Sequence, residues 1–239
     1  MQLKAQNNIK NFDVSENYNL EQDTILYMLE MSNYLDTTFL NRYEPTILEY
    51  EKKDSIYGFT KGSVLFMGSS SIRKWYSLNK DLAPIPIINR GFGGSTLPEA
   101  IYYFNRIALP YEPSTIVLYE GDNDITATFL TPDITLKMFK LFVRLSERYL
   151  PDTKIYFLSI KPSPARVKFT DKMLITNMLI KEECAKNINL EYINITDTMY
   201  DYDGEINANL FAKDMLHMNK EGYKIWTKII KEFLLNNGF

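Results

Sequence analysis

Five short apolar runs without polar alternation, separated by longer segments of helical period, constrain this chain more than any other feature. The runs cover residues 64–67, 85–89, 115–119, 154–160 and 190–195. A strand wet on one face alternates apolar and polar residues, whereas a run apolar throughout is covered on both faces, as in a parallel sheet between helical layers. The intervening segments 97–108, 133–150 and 170–186 predict helices, and the second carries Ile134, Met138, Leu141, Phe142, Leu145 and Tyr149 on one stripe. Pro110 and Pro151 end two of them. A last helix over 220–235, capped by Asn219, turns Tyr223, Trp226, Ile230 and Phe233 inward. These β–α units predict one α/β domain with a five-stranded parallel sheet.

Residues 1–58 precede the pattern, and 20–35 place Ile25, Met28, Leu29 and Leu35 at helical spacing. The expectation is an N-terminal helical extension over 1–58 packed on a main domain over 59–239. No internal repeat and no Gly/Ser-rich linker separates a second free domain. Apolar residues make up 45% of the 239 and charged residues 24%, a composition with enough apolar surface for a large core. The formal net charge of -3, with no basic cluster in sequence, gives no reason to expect nucleic acid. No run reaches the roughly 20 apolar residues of a membrane span. The first residues lack the apolar core of a signal peptide, so the chain as written is expected in the cytoplasm. The single cysteine, Cys184, sits among apolar helical residues as a small buried hydrophobe, which excludes disulfide and cysteine-based zinc schemes.

In an open parallel sheet, ligands bind beyond the carboxyl ends of the strands. The residues there are unusually polar: GSSSIR at 68–73, NRGFGGST at 89–96, EGDNDI at 120–125 and DMLHMN at 214–219. Taken singly, each has a plain structural use, as helix cap, positive-φ glycine turn or Asx turn. His217 is different: it is the only histidine, and Asp214 lies three residues upstream, where it could fix the ring's tautomer. Ester hydrolysis by serine needs a hydroxyl, a base, a group that orients the base, and donors aimed at the oxyanion. One of the three adjacent serines, His217, Asp214, a glycine backbone and the Asn123 amide supply that set.

In the chain order Ser, Gly, Asn, Asp-x-x-His, each in its own block, the sequence resembles the GDSL or SGNH hydrolases, through GSSSI, NRGFGGS, LYEGDNDI, LSIKPSPAR and DMLHMNKEGY, over about residues 44 to 236. The first block matches a bacterial branch that reads G-S-S-S-I. The resemblance implies a three-layer α/β/α flavodoxin-like fold and an ester-hydrolysing site without metal or organic cofactor. It implies Ser70 as nucleophile, with Ser69 in place of the family's aspartate and Ser71 in place of the following aliphatic residue. Gly94 and Asn123, with the Ser70 N–H, match the oxyanion hole, and Asp214 with His217 match the last block. The substrate is then a small-molecule, carbohydrate or lipid ester.

Three lesser candidates remain. Arg73, one turn beyond Ser70, could reach the pocket rim or stand in solvent. The KPSPAR segment, 161–166, could border the site or form a rigid turn, and the sequon Asn194-Ile195-Thr196 is a pattern only. The rival functions are a lysophospholipase- or thioesterase-type acylhydrolase, a flavodoxin-like module cradling phosphate or FMN on GSSSIR, and a silent relative that binds glycans or partner proteins. The connections near the site, 125–132 and 161–170, carry few large apolar residues, chiefly Phe129, Leu130 and Phe169, which predicts a small acyl pocket and short acyl chains.

Overall fold

A computed structural model describes residues 29–33 and 40–239. Of the predicted 20–35 helix, residues 29–33 are described, 29–32 as helix and 33 as a turn; the rest of that expectation lies outside the described residues. Helix α1 (Glu44–Tyr57) leads to β1 (Val64–Gly68), the short α2 (Ser70–Arg73) and α3 (Leu78–Asp81), and β2 (Ile87–Gly91). Then follow α4 (Leu97–Tyr102), α5 (Phe104–Ile107), β3 (Thr115–Tyr119), α6 (Pro132–Tyr149), β4 (Lys154–Leu158), α7 (Thr170–Cys184), β5 (Leu190–Ile193) and α8 (Lys220–Asn236). All pairings are parallel, in the order β2-β1-β3-β4-β5. This is the three-layer α/β/α fold with a five-stranded parallel sheet.

Residue parity along each strand divides the core in two. Leu65, Met67, Ile116, Leu118, Ile155 and Phe157 face one cluster, which α4 to α7 cover. Val64, Phe66, Val117, Tyr119, Tyr156 and Leu158 face the other, closed by Trp75 and by Tyr223, Trp226 and Ile230 of α8. Both faces are covered, which is why the strands read as unbroken apolar runs. Asn219 caps α8 by accepting from the Glu221 and Gly222 N–H groups, and Leu234 rather than Phe233 is the fully buried residue of its last turn. Cys184 is buried, and burial pushes its thiol up to about 12. No helix among the described residues is long and apolar enough to cross a membrane.

Of the expected boundaries that move, three do so for a clear local reason. The helix over 97–108 is two pieces, because Tyr103, at φ -94 and ψ 3, leaves the helical path; its ring is buried edge-on to Phe92, 6.2 Å away. Strand β2 begins after Pro86, which has no N–H for the ladder. Strand β4 stops at Leu158 because side chains then take over the hydrogen bonding: the Ile160 N–H donates to Asn177 Oδ1 at 2.8 Å and the Ile195 N–H to Ser159 Oγ at 2.9 Å.

The strand order reverses at β1, with β2 on one side and β3 on the other, so the crevice of this fold opens at the end of β1. There Gly68 pairs with Gly91 and with Tyr119 in one row. Gly68 has φ +152, and a Cβ on it would lie 2.3 Å from the Tyr119 carbonyl oxygen. Backbone cannot yield as a flexible side chain does. Gly68→Ala is therefore expected to destabilise the fold by at least about 1–3 kcal/mol, read as a lower urea midpoint at unchanged slope; an unchanged midpoint would refute the contact.

Candidate active site

The row through Gly68 fixes what lies beyond it. Ser70 is the first residue of α2, Gly94 lies in the turn between β2 and α4, and Asn123 follows β3. Of the three adjacent serines, Ser69 and Ser71 are buried at 1% exposure, and Ser70 alone is partly open. His217 Nε2 lies 2.9 Å from Ser70 Oγ, and His217 Nδ1 lies 2.6 Å from Asp214 Oδ2. Asp214 Oδ1 meanwhile accepts from the Leu216 and His217 N–H groups. The bond to the ring and these two backbone donors hold the Asp214 carboxyl well below the usual carboxylate range. A carboxylate on Nδ1 selects the tautomer with its proton there, leaving Nε2 free to accept from the serine.

The turn carrying His217 is held from two sides. Met215 adopts φ 55, an uncommon left-handed conformation for a non-glycine residue, and its carbonyl accepts from the Ala165 N–H at 3.0 Å. The Ala212 N–H donates to the His217 carbonyl at 2.7 Å. The KPSPAR segment thus borders the site and braces the histidine turn.

Gly94 has φ +90, and neither its N–H nor that of Ser70 donates to any atom among the described residues. The glycine turn is clamped from the N-terminal side: Arg42 donates to the Gly94 carbonyl at 3.1 Å, Tyr43 to Gly93 at 3.0 Å, and Tyr50 to Gly91. Arg42 also pairs with the buried Glu99, at 2.9 Å to Oε2, in the first turn of α4. Arg73 is exposed, but its guanidinium lies against Gly93, where a Cβ would come within 2.5 Å of Nε. Asn123 Nδ2 donates to the Ser95 carbonyl at 2.8 Å, and Arg166 donates to Asn123 Oδ1 at 2.8 Å. With Oδ1 engaged by a cation, the amide cannot be flipped, and its second Nδ2 proton stays available. No direct hydrogen bond joins Gly94 or Asn123 to Ser70 among the described residues; the adjacent strand ends bring them to one crevice.

Beneath this surface lies a charged foundation. Asp122 accepts from Lys161 Nζ at 3.0 Å and from Arg166. Burial pushes the Asp122 carboxyl up, but Lys161 and Arg166 outweigh it and hold the group below the ordinary aspartate range. Glu120 is fully buried and accepts from Ser95 Oγ at 2.5 Å. Burial, with the nearby Asp124, pushes its carboxyl well above the usual range. Asp124 accepts from the Gly121 and Leu97 N–H groups, and burial pushes it up to about 7.

Sequence reading flagged the KPSPAR segment that carries Lys161 and Arg166 but missed Arg42, Tyr43 and Tyr50 as supports of the site, for which no local signal was available. Leu130, expected in the acyl pocket, is fully buried in the core and so cannot line an open pocket. Phe169 is packed against the core, while Phe129 is 46% exposed.

A model of the GDSL-like lipase/acylhydrolase family matches residues 55–225, spanning every strand and both ends of the Ser70–His217 contact. The chain belongs to that family. It is accordingly a carboxylic ester hydrolase. Solved structures of the same fold include a Streptococcus pneumoniae protein provisionally designated a platelet activating factor, 21% identical at a TM-score of 0.71, covering 88% of this chain and 99% of that one. A GDSL-like lipase from Bacteroides thetaiotaomicron is 22% identical at 0.66, covering 80% and 98%. An acetyl-xylooligosaccharide esterase from Geobacillus is 14% identical at 0.61, covering 76% and 96%. No curated protein matches significantly in sequence.

In this GDSL-family hydrolase, Lys161 is fully buried against a carboxylate that is itself 6% exposed. Removing one partner of a buried pair leaves an uncompensated charge, at about 3–5 kcal/mol. Lys161→Met is expected to lower the melting temperature by roughly 6–20 °C, at about 2–4 °C per kcal/mol for a chain of this size. A loss under about 1 kcal/mol in chemical unfolding would show that Arg166 alone compensates Asp122.

Proposed function

We propose that the enzyme is a serine esterase for short-chain acyl esters, acetyl esters foremost, with Ser70 as nucleophile, His217 as base and Asp214 as its orienting carboxylate. The observation that carries this reading is the continuous hydrogen-bonded chain Ser70–His217–Asp214, 2.9 Å and 2.6 Å long. Ser70 Oγ attacks the ester carbonyl carbon while His217 Nε2 takes its proton, and Asp214 stabilises the imidazolium. The carbonyl oxygen, now an oxyanion, receives the Ser70 and Gly94 N–H groups and the second Nδ2 proton of Asn123. On collapse, the imidazolium returns the proton to the leaving alcohol oxygen, and an acyl-Ser70 ester remains. Water attacks that ester with His217 again as base, and collapse restores the Ser70 hydroxyl and releases the acid.

Ser70→Ala is expected to abolish turnover of nitrophenyl acetate, while Ser69→Ala and Ser71→Ala keep a substantial fraction, since their side chains are buried away from His217. Asp214→Asn keeps the Oδ1 acceptor of the turn but presents an NH₂ group to Nδ1, which favours the wrong tautomer. It should cost on the order of 10⁴ in kcat with the fold intact by circular dichroism. An organophosphate adduct found by mass spectrometry on Ser69 or Ser71 would overturn the assignment.

The short-chain part rests on the scarcity of apolar wall near Ser70. Of the three large residues in the bordering connections, Leu130 is unavailable and Phe169 is already packed, so a long acyl chain has little to bury itself against. Each methylene gains about 0.8 kcal/mol only when it is buried. Acetyl and butyryl nitrophenyl esters should exceed palmitoyl esters in kcat/KM by about tenfold or more, below their micelle concentrations. Efficiency climbing steadily through octanoyl and beyond would favour a lipid acylhydrolase instead.

A further inference from the structure

A second depression opens on the side of His217. It encloses about 510 Å³ and is walled by the segment that follows α2, from Lys74 to Ser77, and by α3, across from the histidine turn and the start of α8. Among its lining residues are Lys74, Lys80, Lys220 and Lys224, set against one carboxylate, Asp81. The Asp81 side chain is committed elsewhere: its Oδ2 accepts from Trp75 Nε1 at 2.8 Å and from Ser77 Oγ at 2.6 Å. Lys224 pairs with the exposed Glu221 at 2.8 Å. Lys74, Lys80 and Lys220 have no carboxylate partner among the described residues. In a chain whose formal charge is -3, three unpaired lysines gathered in one groove are a local reversal of sign. Tyr76, 87% exposed, adds a flat aromatic wall to the same groove.

The reaction assigns a role to this position. The carbonyl oxygen of a bound ester points to the donors of Gly94 and Asn123. The leaving oxygen must reach His217 Nε2, which protonates it. The alcohol moiety therefore extends to the histidine side, where the lysine groove lies. Resting on the proposed esterase mechanism, we infer that this groove binds an anionic leaving alcohol, an acylated sugar that bears a carboxylate or phosphate. Its ring would lie on Tyr76 and its charge among Lys74, Lys80 and Lys220. A flexible acyl chain gains little from such a wall, whereas an anion gains from three cations that no internal carboxylate neutralises.

The test compares monoacetates of methyl glucoside, methyl glucuronoside and a phosphorylated methyl glucoside, with nitrophenyl acetate as a neutral control. The native enzyme should favour at least one charged sugar by about tenfold or more in kcat/KM at low salt, and the preference should shrink as screening rises toward about 0.5 M salt. The triple variant Lys74→Gln, Lys80→Gln, Lys220→Gln should lose that preference and its salt dependence while cleaving nitrophenyl acetate within about twofold of the native rate. The carboxylate and phosphate arms identify which anion the groove takes. Equal efficiency on charged and neutral sugars, or a preference that survives in the triple variant, would overturn the inference. A different result marks failure of the esterase reading itself: nitrophenyl acetate would then be untouched, or cleaved equally by Ser70→Ala. Calorimetry of the charged and neutral methyl glycosides on Ser70→Ala decides the groove independently of turnover, with binding of a charged glycoside alone supporting it and equal or absent binding refuting it.

Discussion

Gly68, Gly91 and Tyr119 stand side by side in one row of parallel strands, and the rest of the site is measured from that row. Each strand releases its chain in the same direction, so residues two to four positions beyond the row collect over one crevice without any long loop to bring them there. The close approach of β1 to the Tyr119 carbonyl needs a residue without a Cβ, and Gly68 at the end of β1 meets that need. From there Ser69 is held by its N–H on Tyr119, and Ser70 opens α2 with its hydroxyl toward His217.

The crevice is then stiffened by charge from below and from the side. Asp122 pairs with both Lys161 and Arg166, so losing Asp122 would strand two cations. Arg166 also reaches Asn123, so the network sets the orientation of the amide that faces the crevice. On the opposite flank, Arg42 spans Glu99 and the Gly94 carbonyl, fixing the glycine turn whose N–H stays free. Such supports matter because preorganised donors contribute to catalysis only when they need not reorganise as charge develops. In the proposed reaction, the lysine-lined depression beside His217 would hold the leaving alcohol.

Much of this was legible in the chain. Unbroken apolar runs on β1, β3 and β4 announced strands covered on both faces, and the 3.6-residue stripe of Met138, Leu141, Phe142 and Leu145 announced α6, since burial on one side imposes a period that a sequence must carry. The polar blocks at 68–73, 89–96, 120–125 and 214–219 stood out because hydrophilic residues at the ends of buried strands have no structural need to cluster. Tyr103 was not legible as a helix break, for its departure answers to a tertiary contact with Phe92 rather than to any local breaker.

The sequence by itself determined the class of fold and the residue types of the site, because both depend on local periodicity and on short motifs. It could not choose among Ser69, Ser70 and Ser71 by residue chemistry, since three identical side chains differ only in where the backbone points them. The tertiary structure turned one of them to His217 and buried the other two. It also decided the supports: Arg42 lies 57 positions from Glu99, and Arg166 lies 43 from Asn123. A charge so distant along the chain leaves no periodic trace of its partner, so only the folded arrangement of strands and loops brings the two together.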